Sequence, residues 1–135
     1  IENIQVKFEK GKIIQANASK GKEVLLKILD SDEGSRRLGE VALVPDNSPI
    51  AQTGLLFYNT LFDENAACHI ALGQCYTKCF KSQNLKKEEI TSKGGNSSMI
   101  HIDWMIGSNQ IDIDGIEKNG IKTPIFRKGE WVQTF

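Results

Sequence analysis

The sequence holds no apolar run approaching the ~20 residues that span a bilayer, and no stretch has the composition of a secretory signal. Neither sign of charge dominates: 17 basic residues face 17 acidic ones. That balance leaves no electrostatic footprint for nucleic acid or for an acidic membrane. Familiar catalytic patterns are missing too. There is no Walker loop, dinucleotide glycine pattern, G-x-S-x-G elbow or H-E-x-x-H helix. Only three cysteines occur, Cys68, Cys75 and Cys79, crowded together and odd in number. They make a poor disulfide framework, and their spacing is not that of a zinc ribbon. They read as small residues on one packed helical face, kept reduced in a cytoplasm.

What is present is ordinary for one globular domain covering residues 1–135, with 39% apolar and 25% charged residues. Alternation over Ile4–Phe8, a turn at Glu9-Lys10-Gly11-Lys12 and Ile13–Ala16 predict a β-hairpin. Val24, Leu25, Ile28 and Leu29 recur at helical spacing. Gly39 to Val44 reads as a strand stopped by Pro45, and Pro49 to Thr60 as a connection with some helical character. A helix is expected from Glu64 to about Phe80, capped by Asp63, with a short one over Lys86 to Ser92. Strands follow at Met99–Ile106, Gln110–Glu117 and Ile121–Phe126, the last two joined by an Asn119-Gly120 turn. The fold class expected is α+β, a mixed or antiparallel sheet with a few helices.

The two histidines, His69 and His101, are the places to look for chemistry. On a strand, His101 and Asp103 project to one face. An imidazole beside a carboxylate suits Zn²⁺, Mn²⁺ or Co²⁺, although a surface His–Asp pair has the same spacing. On the expected helix, Tyr76 returns to nearly the azimuth of His69 two turns later, which an amphipathic core face would also produce. Glu40 interrupts an apolar strand. A buried carboxylate there needs a metal or a cation such as Arg36 or Arg37, whereas an edge-exposed one needs nothing.

Longer motifs carry more weight. Arg37-Leu38-Gly39-Glu40-Val41-Ala42-Leu43-Val44-Pro45, Ser48-Pro49-Ile50, the run from Thr60 to Gly73, the run from Asn96 to Ser108, and Gly129-Glu130-Trp131 follow one another in order. Together they resemble the aminopeptidase T family, the thermophilic-metalloprotease-like group of bacterial metalloaminopeptidases. The resemblance implies the C-terminal, metal-bearing domain of a longer cytoplasmic enzyme, typically a homodimer. It implies two divalent ions, usually zinc or cobalt, and peptide substrates with a free amino terminus. Carried over by position, Glu40, His69, His101 and Asp103 would be metal ligands and Tyr76 the tyrosine beside the metals. A further glutamate ligand of the family falls before Ile1, so the chain alone is expected to be catalytically incomplete.

The mechanism so implied is hydrolysis by a metal-activated water, with Glu40 the first candidate to bridge the ions and Tyr76 a donor to the oxyanion. Glu64 is a weaker candidate for an acid–base or supporting role near the ions and is better explained as a helix-capping acid. The competing class is a non-catalytic metal-binding or dimerisation domain. Two glycosylation triplets, Asn17-Ala18-Ser19 and Asn96-Ser97-Ser98, are short enough to arise by chance.

Overall fold

The computed structural model describes residues 1–82 and 84–132. Its elements run β1 (Gln5–Glu9), β2 (Lys12–Asn17), α1 (Lys22–Leu29), β3 (Leu38–Ala42), α2 (Pro49–Thr53), α3 (Thr60–Asp63), β4 (His69–Gly73), α4 (Lys87–Ser92), β5 (His101–Met105), β6 (Ile113–Ile116), β7 (Lys122–Arg127) and β8 (Glu130–Trp131). The strands form three small sheets, β1-β2, β3-β4-β5 and β6-β7-β8, so the expected α+β class holds. None of the described helices is long and apolar enough to cross a membrane.

The chain divides into two compact units, Ile1–Val41 with Ile70–Asp103, and Ala42–His69 with Trp104–Phe135. In the first, β1 and β2 pair antiparallel around a two-residue turn. Lys10 and Gly11 both take positive φ there, as a right-twisted hairpin requires. Helix α1 buries Leu25 and Leu29, one turn apart, and Ile13, Ala71, Leu72 and Ile90 are buried in the same unit. Strand β4 lies between β3 and β5. Gly73 N–H donates to Arg37 O, and Gln74 N–H to Ile100 O. At Gly39 the backbone comes so close that an added Cβ would sit 2.4 Å from the carbonyl oxygens of both Gly73 and Gln74.

In the second unit, β7 pairs antiparallel with β6 and with β8. Phe126 is fully buried, its ring centroid 4.4 Å from that of Trp131. The β6–β7 connection turns at Asn119-Gly120 as expected, with Gly120 N–H donating to Glu117 O. Leu55, Leu56, Phe57, Tyr58, Leu61 and Phe62 are all exposed.

The long helix expected from Glu64 to Phe80 does not form. A single 3-10 turn at Glu64–Ala66 gives way to strand β4, and a second 3-10 turn follows at Thr77–Cys79. The run from Cys68 to Leu72 is apolar apart from His69, and His69, Ala71 and Leu72 are all buried. A short central strand buried on both faces has no period-2 alternation, so its pattern is the same as that of a buried helix. Asp63 therefore caps no long helix; its carboxylate accepts from the backbone N–H groups of Phe57 and Asn59. The capping role given to Glu64 goes with that helix. The three cysteines share no packed face: Cys68 is buried, Cys75 partly so, and Cys79 exposed. All three are free thiols. Asn96 is tied down as well, its amide nitrogen donating to Gly34 O at 2.8 Å and Gly73 O at 2.7 Å.

Candidate metal centre

Strands β3 and β5 bring Glu40, His101 and Asp103 together in the first unit. His101 and Asp103 stand two residues apart on β5, so the pleat sends both to one face. His101 Nε2 lies 3.4 Å from Asp103 Oδ1 and 3.4 Å from Glu40 Oε2. The three side chains are largely buried, Asp103 retaining only 9% of its exposure.

The proton on His101 can be placed by elimination. Its Nδ1 lies 2.7 Å from the backbone carbonyl of Gln74. A carbonyl oxygen only accepts, so Nδ1 carries the hydrogen and donates it. In the neutral ring Nε2 is then a bare lone pair aimed at two carboxylates. Neither His101 Nε2 nor Asp103 Oδ1 has a hydrogen-bond partner among the described residues, and both are buried. A buried polar atom left so costs on the order of 1–3 kcal/mol.

A shared cation removes that cost. One ligand atom from each of Glu40, His101 and Asp103 lies within 4.8 Å of the others. Donors about 2.1 Å from a tetrahedral ion sit about 3.4 Å from one another, which is the separation of His101 Nε2 from each of the two carboxylates. A proton on Nε2 serves less well, because 3.4 Å exceeds the usual ~2.7–3.2 Å span of an N–H···O bond. A histidine held by Nδ1–H on a carbonyl, with carboxylates around Nε2, is the usual surrounding of a metal-binding imidazole. The residues present fit a divalent ion.

Tyr76 precedes the second 3-10 turn. Its ring centroid lies 5.0 Å from that of His101, with the planes tilted by 58°, and it is 45% exposed. It thus reaches the cluster although the helical azimuth argued for it does not exist. His69 opens β4 in the second unit and is 2% exposed. Its Nδ1 lies 3.0 Å from Ala67 O, so this ring too donates from Nδ1. The cations considered for Glu40 are engaged elsewhere: Arg36 pairs with Asp30 at 2.6 Å, and Arg37 donates to Lys10 O.

Two residues of the surroundings escaped the sequence reading. Gln74 contributes the carbonyl that orients His101, and its side-chain Oε1 accepts from Ser98 N–H at 3.0 Å. Asp32 gathers the N–H and O–H groups of Gly34, Ser35, Ser98 and Met99. The signal for Asp32 was available in the string Asp32-Glu33-Gly34-Ser35, an Asx-turn pattern in a loop. A backbone carbonyl leaves no trace in sequence.

Relatives give this geometry its context. Aminopeptidase T of Thermus aquaticus is 53% identical over 132 residues, covering 98% of this chain and 32% of its own length. Aminopeptidase AmpS of Bacillus subtilis is 48% identical over 132 residues, with 97% and 32% covered. The solved structure of wild-type AmpT from Thermus thermophilus superposes with a TM-score of 0.88 at 52% identity, across 98% of this chain and 32% of that one. The chain thus spans about a third of the length of the curated relatives it matches. A family model described as thermophilic metalloprotease (M29) matches residues 1–131, and the chain belongs to that family.

Proposed function

We propose that this chain is the C-terminal, metal-bearing domain of an aminopeptidase that removes residues from the free amino termini of peptides. The observation that carries the reading is the buried meeting of His101 and Asp103 with Glu40, in which His101 Nε2 and Asp103 Oδ1 find no hydrogen-bond partner among the described residues. Membership of a metalloprotease family, with relatives named aminopeptidases, supports it.

In this reading Glu40, His69, His101 and Asp103 hold two divalent ions, zinc or alternatively cobalt or manganese. Such ions would supply an acidified water, polarise the scissile carbonyl and hold the free α-amine. The chain's own groups orient and stabilise. Gln74 O fixes the His101 ring through Nδ1, which keeps Nε2 as a lone-pair donor. Tyr76, beside His101 and open to solvent on one side, donates a hydrogen bond to the oxyanion that develops on the substrate carbonyl. Glu40 contributes its carboxylate to the ions and at the reacting water.

The working protein combines this chain with an N-terminal domain and pairs as a homodimer in the cytoplasm. The exposed apolar side chains between Leu55 and Phe62 and the free thiols support association and a reducing compartment. Metal counting on this chain, with a leucine-anilide assay on it and on the longer protein, tests the proposal. At least one bound ion is expected, with hydrolysis by the longer protein and little by the chain alone. Absence of metal from both would defeat the metal centre. Metal without hydrolysis by the longer protein would leave a non-catalytic domain, and brisk turnover by the chain alone would defeat its incompleteness.

A further inference from the structure

Strand β5 begins at His101, and Ser98 and Met99 just before it are held by polar groups. Met99 points outward, 81% exposed, so its side chain anchors nothing. Its backbone N–H instead donates to Asp32 Oδ2 at 2.6 Å. Ser98 Oγ donates to the same carboxylate, 2.9 Å from Oδ1 and 3.0 Å from Oδ2, and accepts from Ile100 N–H at 3.2 Å. On its other side Asp32 Oδ1 accepts from the N–H groups of Gly34 and Ser35 and from the Ser35 hydroxyl. One carboxylate therefore ties the loop ahead of β3, the strand that carries Glu40, to the entry of β5, which carries His101 and Asp103. These contacts all lie within the first unit.

We propose that Asp32 is a positioning residue for the metal centre, setting the place of His101 and Asp103 through the backbone of Ser98 and Met99. The inference rests on the metal reading above. Asp32 is suited to the role because its one carboxylate accepts from both segments, Gly34-Ser35 and Ser98-Met99, and because its charge strengthens each bond. Groups that orient metal ligands without touching the ion commonly change affinity about 10–100-fold when altered.

The test is Asp32→Asn in the full chain, titrated with Co²⁺ and followed by its visible absorption bands, with thermal unfolding of the metal-free protein alongside. Asparagine keeps one oxygen for the Gly34 and Ser35 amides but turns an NH₂ group toward Met99 N–H, donor against donor. Co²⁺ binding about tenfold weaker, with altered bands, is expected. Asp30→Asn is the control, since Asp30 is 65% exposed and pairs with Arg36; its affinity should match the wild type. Should Asp32→Asn fail to fold, Ser98→Ala decides, with weaker Co²⁺ binding supporting the proposal. Wild-type protein that binds no Co²⁺ overturns the metal reading itself. Wild-type binding that Asp32→Asn, or Ser98→Ala in its place, leaves unchanged overturns only the positioning role, as does an equal loss in Asp30→Asn.

Discussion

The Nδ1 of His101 donates to the carbonyl oxygen of Gln74 across 2.7 Å. With the proton committed there, three oxygen and nitrogen lone pairs converge on one small volume. His101→Ala and Asp103→Ala are each expected to lose the ion and to lower activity of the longer protein at least about 100-fold. The metal-free fold should survive both. Mass-spectrometric metal counting and the anilide assay check this, and undiminished turnover in either variant would refute the assignment.

Asp103→Asn should separate metal binding from stability. Its NH₂ would face His101 Nε2 with a donor in place of a second lone pair, 3.4 Å from an atom that has no hydrogen-bond partner among the described residues. Chelator-treated Asp103→Asn is expected to be more stable than chelator-treated wild type by about 1 kcal/mol, while binding no ion. Urea unfolding in chelator measures it. A loss of stability there would mean that the carboxylate already has a favourable partner.

Gly39→Ala tests the close approach beside Glu40. A methyl group 2.4 Å from two backbone carbonyl oxygens cannot be absorbed by a side-chain rotation. A loss of about 2–4 kcal/mol is expected. Gly94→Ala meets nothing within 4 Å and pays only for its φ of +84°, roughly 1–2 kcal/mol. Equal losses in the two variants would show that crowding at Gly39 is relieved by backbone movement.

Asp32 gives the acid limb of stability. Its pKa is lowered from the ordinary 3.8 to about 2, chiefly by the Met99 N–H, with help from Ser98, Ser35 and Gly34 and against the effect of burial. A carboxylate lowered on folding stabilises the native state above its unfolded pKa, and the gain fades as pH falls through the folded value. The stability gap between wild type and Asp32→Asn should therefore be full at pH 6 and shrink between about pH 4 and pH 2. Urea midpoints across that range measure the gap, and one that stays constant would contradict the role of the charge.

Elements with a clean period were legible in the sequence. The β1–β2 hairpin, helix α1, helix α4 and the Asn119-Gly120 turn all stand where alternation, helical spacing and turn residues put them. The pairing of His101 with Asp103 followed from the two-residue repeat of a strand. Cys68 to Gly73 was misread because a strand covered on both faces and a buried helix look the same in sequence. Tyr76 stands beside His101, but not through the helical azimuth argued for it, because that helix does not form. Glu40 stood out only as a charge in an apolar run, and nothing local could say that His101 lies across from it. Long-range pairings of that kind are decided by the sheet, not by neighbours in the chain.

The bare backbone at Gly39 has a meaning for anyone who would transplant this centre. Copying the ligands into a new scaffold would carry over the chemistry without the spacing, because the place of Glu40 depends on its neighbour having no side chain at all. A graft would have to import the close approach of Gly39 to the carbonyls of Gly73 and Gln74 along with the carboxylate.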